Sequence, residues 1–336
     1  MARPVDAGEA ACCARCDRLL ERGIDPVRSG GRIRGVDLHP GLRRIGFGGP
    51  AQPARAQPRV SASQLGLQRA HLAFCSRQRY PLVSAANRDE YHARATEALQ
   101  WWTPANGGPD VLGGRDLVAG GTWMGLTAAG RLALLTNIRA PGAHDPSAPS
   151  RGRIVTDWLA SPDGVDAFWA RIAAQRHNGF NLVVADLSAP AWFWASSDAA
   201  TIRPIPRGLH ALSNAALHTP WPKTEQLKAR LRAALDEAAS LEHLSQALFD
   251  ALADPRPAAD AVLPMTGVPI DAERILSSAF VEWPERGYGT RCSTLVVTER
   301  LEHGQRTHVL ERSYGAPPAR ATALRHHVLE RWPPRP

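Results

Sequence analysis

Lysine is nearly missing from this chain. Lys223 and Lys228 are the only two in 336 residues, so the basic character is carried by arginine. Cysteines number five, an odd count, and three crowd together at Cys12, Cys13 and Cys16, which argues against a secreted disulfide framework. Cys13-x-x-Cys16 has no second Cys or His pair at ligand spacing, so no metal site is expected. No window reaches the roughly 18 consecutive apolar residues of a spanning helix. Met1-Ala2-Arg3-Pro4 opens no apolar signal-peptide core. A cytoplasmic protein with reduced thiols is the expectation. Neither GxGxxG nor GxxxxGK[ST] follows a strand, so nucleotide binding through those loops is not indicated.

What is present is a chain that is 44% hydrophobic, enough to fill a real core without staples. The net charge of +8 is unevenly spread: residues 1 to 70 hold twelve Arg against six acids, or +6 of it. That leaves the remainder nearly neutral and argues against nucleic acid as a partner. Residues 1–69 show no sustained period and are rich in Gly, Pro and Arg, which reads as a disordered extension or a mis-annotated start. Residues 70–336 read as one folded domain.

His71–Cys75 and Tyr80–Ala86 have the composition of two short strands, the second broken by Asn87. Thr122–Thr127 and Arg131–Thr136, joined by Ala128-Ala129-Gly130, form the clearest hairpin. Ile154–Leu159 and Val165–Ala174 have helical spacing, with Ser150 and the Ser161-to-Gly164 turn as starts. Phe180–Leu187, Ala191–Ala195, Thr201–Ile205 and Gly208–Leu212 have the spacing of an antiparallel meander. Helices are expected over Thr224–Ala239 and Leu241–Ala253. Strands are expected over Ser277–Val281, Ser293–Glu299 and Thr307–Arg312, then a final helix near Ala319–Arg331. Helices interrupting two sets of strands favour an α+β fold, an αββα sandwich of two mainly antiparallel sheets flanked by helices, over a doubly wound parallel sheet.

Short polar motifs recur at expected strand ends and glycine turns: Asn87-Arg88-Asp89-Glu90, Gly113-Gly114-Arg115-Asp116, Gly120-Gly121-Thr122-Trp123, Leu135-Thr136-Asn137-x-Arg139, Ser150-Arg151-Gly152, Leu212-Ser213-Asn214 and Tyr288-Gly289-Thr290-Arg291. Arginine offers a planar donor fork, glycine lets backbone N–H groups approach, and Asn or Thr fixes orientation. The plainer alternative is that each Arg–Asp or Arg–Glu pair satisfies its neighbours. The number of motifs favours a small anionic or amphipathic ligand. The expected ligand-binding set is Asn87, Arg88, Asp89, Glu90, Arg115, Asp116, Gly120, Gly121, Thr122, Trp123, Thr136, Asn137, Arg139, Ser213, Asn214 and Arg291, with no catalytic residue assigned.

This ordered series, together with Gly179-Phe180-Asn181-Leu182 and Trp221-Pro222-Lys223, resembles the NRDE family, also called the Transport and Golgi organization 2 family, over about Leu72 to Arg312. The resemblance implies an Ntn-hydrolase-like fold, a cytosolic or mitochondrial protein, and a role in haem trafficking or acyl-CoA and lipid handling. Haem is the candidate cofactor it suggests, with His210 the least arbitrary axial ligand. Family members typically begin Met-Cys before the first strand, an arrangement suited to an N-terminal nucleophile. Here Gln68 falls at that place, so a non-catalytic binding protein is expected first and an Ntn-type amidohydrolase second. Cys75 and Cys292 are expected to be packed core thiols. Trp101-Trp102 and Trp192-Phe193-Trp194 would stack a porphyrin, hold an acyl chain or fill a core.

Overall fold

The structure is a computed structural model that describes residues 69–75, 79–105, 107–188, 191–198, 202–316 and 321–334. Expectations for the Arg-rich extension, Cys13, Cys16 and Gln68, and for the side chain of Cys75, fall outside what is described.

Two antiparallel sheets dominate. One has the order β10-β1-β2-β12-β13-β14, built from β10 (His210–Leu212), β1 (Arg69–Cys75), β2 (Leu82–Tyr91), β12 (Tyr288–Leu301), β13 (Gly304–Tyr314) and β14 (Ala321–Glu330); a short β11 (Glu282–Trp283) adds to β12. The other is a nearest-neighbour meander of β3 (Thr96–Trp102), β4 (Val111–Asp116), β5 (Met124–Thr127), β6 (Arg131–Asn137), β7 (Phe180–Asp186), β8 (Ala191–Ser196) and β9 (Arg203–Ile205). Leu82, Ala86, Val296 and Val309 of the first sheet meet Leu112, Met124, Leu134 and Val183 of the second in a shared core.

Helices cover the outer faces. On the first sheet, Val83, Ala85, Leu295 and Val297 pack with Leu227 and Leu231 of α3 (Pro222–Glu237) and Leu244 and Leu248 of α4 (Leu241–Leu252). On the second, Ala133, Leu135, Leu182 and Val184 pack with Ile154 and Trp158 of α1 (Gly152–Ala160) and Phe168 of α2 (Val165–Ala173). Alternate residues of a strand face opposite sides, so each central strand is apolar on both faces and buries nearly its whole length. This is the αββα arrangement. Pro222 opens α3 with φ already set for a helix, and Ser240 caps α4 by accepting from His243 N at 3.1 Å. A short α5 (Ile270–Ile275) lies near the start of β12, where Ala272 and Leu276 pack with Tyr288.

The β5–β6 hairpin and the α1 to α4 helices fall where the sequence pattern puts them. Five local expectations need correction. Asn87 does not end β2, which runs four residues further to Tyr91 because Asn87 finds buried partners. Ser150 does not cap α1: Arg151 is the N-cap residue and makes no side-chain cap bond. Ser277–Val281 forms turns rather than a strand. The meander loses its last member, since β10 crosses to pair with β1. The expected final helix is strand β14 instead, because β13 offers it a ladder extending from Arg306↔Glu330 to Tyr314↔Ala321. Tertiary pairing there overrides the helix propensity of Ala, Leu and Arg.

Candidate functional site

The period-two alternation of β2 divides its polar motif into two pairs. Asn87 continues the outward row of Val83 and Ala85. Its Nδ2 donates to the carbonyls of Leu252 and Ala279, both at 2.8 Å, and its Oδ1 accepts from Ser293 Oγ at 2.5 Å. Asp89 accepts from Thr290 Oγ1 at 2.7 Å. These two side chains tie β2 to β12 and to the chain around α4. Arg88 and Glu90 follow the inward row of Leu82 and Ala86.

Arg88 is 3% exposed, stacks on Trp123 with its guanidinium carbon 4.2 Å from the ring centroid, and lies 3.6 Å from Glu90 Oε2. Among the described residues its two terminal nitrogens donate to nothing. Asn137, 1% exposed at the end of β6, has neither amide atom hydrogen-bonded among the described residues. Both side chains line one cavity of about 30 Å³, together with Asp116, Thr122, Trp123, Leu135, Ser150 and Gly152. That is space for roughly one or two waters or a single small polar group. Buried donors are ordinarily met by an acceptor, water included, so a group that brings an oxygen fits this cavity.

The local backbone fixes the cavity wall. Gly120 turns the chain with φ +74°, and a Cβ on Gly121 would lie 2.5 Å from the Gly152 carbonyl. Only glycine allows the start of α1 to close against this turn. Thr122 N donates to Gly152 O at 3.3 Å, and Thr122 Oγ1 donates to Met124 O at 2.8 Å. Gly152, the first residue of α1, thereby becomes part of the cavity wall.

Charge around the site is positive. Asp116 is held by Arg94, whose Nε and Nη2 donate to Oδ2 at 3.0 and 2.8 Å, and by the Val118 and Ala119 amides at Oδ1. Arg94 also lies 3.7 Å from Glu90. Burial lowers Arg151 to about 10; Glu90 opposes that shift and Arg94 adds to it. Arg291 is lowered by burial and then by Arg88. Four arginines thus share two carboxylates, Glu90 and Asp116, a balance that favours an incoming anion. Cys292, opposite Arg88 across the β2–β12 ladder, is buried, and its thiol is pushed well up, chiefly by burial, so it is held neutral.

Of the residues expected from the sequence, Arg88, Asp116, Thr122, Trp123 and Asn137 therefore converge on one cavity. Arg139 and Asn214 line a second one. Asn214 links the two, its Nδ2 donating to Asn137 O at 2.8 Å and its carbonyl accepting from Arg139 N at 2.8 Å. Thr136 Oγ1 donates to Ser213 O at 2.8 Å, and Ser213 Oγ donates to Asn214 Oδ1 at 3.2 Å. Arg115 sits on the outer side, over the Trp102 ring and 3.9 Å from Glu97. Arg291 Nη1 donates to the carbonyls of Tyr91, His92 and Arg94, bracing the loop after β2. His210 does not offer a ring nitrogen to haem: Nε2 meets Pro206 O at 2.8 Å and Nδ1 meets His218 Nε2 at 2.9 Å. Arg94 was not among the expected residues, and Arg151 appeared only within its glycine motif. A lone Arg beyond a strand gives no local signal.

Comparison with known proteins follows the same span. Residues 70–316 match a family model described as Transport and Golgi organisation 2. The mouse Transport and Golgi organization 2 homolog is 28% identical over 243 residues, covering 68% of this chain and 86% of that protein. The human homolog is 30% identical with the same coverage of each chain, 68% and 86%. The Drosophila melanogaster protein is 29% identical, covering 66% and 82%. A solved Caenorhabditis elegans N-acylethanolamine-hydrolyzing acid amidase ortholog overlays with a TM-score of 0.37 at 12% identity, covering 68% of this chain and 92% of that one. An overlay that loose supports no inference about chemistry.

Proposed function

This chain belongs to the Transport and Golgi organisation 2 family, and from that premise we propose that it binds or carries a small anionic or amphipathic ligand without transforming it. One observation carries the reading: Arg88 and Asn137 are buried on one small cavity with side-chain donors that meet no acceptor among the described residues. A carboxylate or phosphate oxygen would take both, with Trp123 holding the guanidinium plane and Arg94 and Arg151 adding to the positive field. Asp116, Thr122 and Gly121 position the wall. Asn87, Asp89 and Glu90 hold Arg88 in place. The cavity admits the polar end of the ligand only, so the body lies outside it.

Haem, through a propionate, and acyl-CoA, through a phosphate or its thioester carbonyl, share this chemistry. Calorimetric titration of the full chain with each is expected to give saturable binding of one. It should weaken about tenfold or more in Arg88→Gln, as expected for a lost charge-assisted bond. Absence of saturable binding by both ligands would sink the proposal. The same reading places the protein in the cytoplasm, where Cys292 stays reduced; fractionation of cells expressing the tagged chain tests that.

A hydrolase reading draws on the same donors, since an unpaired Asn amide beside an arginine could steady a developing oxyanion. It needs a nucleophile, and the neutral thiol of Cys292 is a poor one. Mass spectrometry after treatment with an amide-directed covalent probe separates the two. Labelling at this cavity supports hydrolysis, and an unlabelled chain supports binding alone.

A further inference from the structure

Past the end of β6 lies a larger cavity of about 470 Å³, lined by Arg139, Trp194, Ser196, Arg203, Trp221 and Thr266 among others. That volume is within the usual range of about 300–1,000 Å³ for small-molecule sites. We propose that it is a second ligand site, one for a monocarboxylate with an apolar body. The proposal goes beyond the Arg88 cavity and stands independently of it.

The body is assigned from the walls. Trp194 has spent its one polar atom, Nε1, on Asn181 Oδ1 at 3.2 Å, so its indole offers carbon to the cavity. Trp221 is stacked by Arg139, whose guanidinium carbon is 4.6 Å from the ring centroid. The charge of Arg139 is matched by the buried carboxylate of Glu273 in a close ion pair. Thr266 N donates to the other oxygen of Glu273 at 2.9 Å, tying the loop before α5 to the pair. The interior of this cavity is therefore aromatic and electrically balanced, unlike the arginine-rich first cavity.

The carboxylate is assigned from the donors. Ser196 Oγ is buried and accepts from Asp198 N at 3.3 Å, and among the described residues its O–H has no acceptor. The side chain of Arg203, exposed on β9, likewise makes no hydrogen bond or ion pair among the described residues. Both groups present donors, so the complementary head is an acceptor and, facing a guanidinium, an anion. Asp198 shares the lining, but its Oδ1 accepts from Ser197 Oγ at 3.1 Å. Cations already cover Trp221, from Arg139 and from Lys223 at 5.6 Å, which disfavours a cationic ligand there.

The test is calorimetric titration of the full chain with dodecanoate, 2-naphthoate and dodecyltrimethylammonium. At least one carboxylate is expected to bind saturably, about tenfold or more weakly in Arg203→Gln, with no binding of the cation. Arg203 is exposed, so its replacement leaves the fold intact; Ser196→Ala provides an independent second variant and should weaken binding as well. Three results would overturn the assignment: neither carboxylate binds, the cation binds as well as dodecanoate, or affinity falls in Arg88→Gln and not in Arg203→Gln. The last would also show that the Arg88 cavity is the sole site, whereas failure here with haem or acyl-CoA binding intact would leave that cavity's function standing.

Discussion

Asn87 and Arg88 are adjacent in sequence and almost equally buried, at 1% and 3% exposed, yet their surroundings differ completely. Asn87 lies on the helix-covered face, where its amide meets acceptors 165 and 192 residues away and its carbonyl oxygen meets Ser293. Arg88 lies on the face toward the second sheet, with its terminal nitrogens aimed at a cavity and unspent among the described residues. A fully bonded buried polar group is what a fold needs. A buried donor without an acceptor works against stability and is retained where it meets something else. One motif thus does two jobs because a strand sends alternate residues to opposite sides.

The sharpest way to break this contrast is to remove both residues in turn. Asn87→Ala should cost about 3 kcal/mol, because Leu252 O, Ala279 O and Ser293 Oγ all lose a buried partner; urea denaturation reads it. Arg88→Gln should cost less than half as much in the same assay, since Glu90 keeps Arg94 beside it at 3.7 Å, while ligand affinity drops about tenfold. An Arg88 variant that unfolds as readily as Asn87→Ala would show that both residues are structural.

Acid and base extend the comparison to the layers themselves. On the helix side, hydrogen bonds from Arg256 hold the Asp254 carboxyl at about 2 against the opposing effect of burial. Its folded value lies below the unfolded 3.8, so it contributes stability above that pH, which is lost as the pH falls toward 2. Between the sheets, burial pushes the Glu311 carboxyl up, although Leu99 N and Thr294 Oγ1 donate to it. Its contribution has the opposite sign: present below the unfolded 4.5 and lost as the pH rises through the higher folded value. Denaturation midpoints measured from pH 2 to 7 should therefore lose their acid-side fall in Asp254→Asn. In Glu311→Gln they should lose the decline toward neutrality, with a gain in stability at pH 7. The smallest effect is expected at Asn137. Asn137→Leu removes an amide that bonds to no described residue, so stability should shift by no more than about 1 kcal/mol either way, while binding at the Arg88 cavity weakens.

Much of this was legible locally. The β5–β6 hairpin follows from two apolar runs around Ala128-Ala129-Gly130, and α1 to α4 follow from three- and four-residue spacing. The errors share a cause. Asn87 looked like a strand breaker because its partners are far along the chain. Residues 321–330 looked helical because Ala, Leu and Arg favour helices, and no local pattern shows that β13 has a free edge waiting. Five of the expected site residues meet in one cavity, but Arg115 and Arg291 carry the same motif signature and are committed to Trp102 and to backbone carbonyls.

The Asn-Arg-Asp-Glu run, its companion motifs and their order are properties of the sequence; they were enough to place the chain in its family, and apolar spacing marked most of its strands and helices. Which arginine meets a cavity and which meets a carbonyl was decided only in three dimensions. Side-chain chemistry is local, whereas the acceptors that satisfy or spare each donor arrive from strands and helices up to about two hundred residues away.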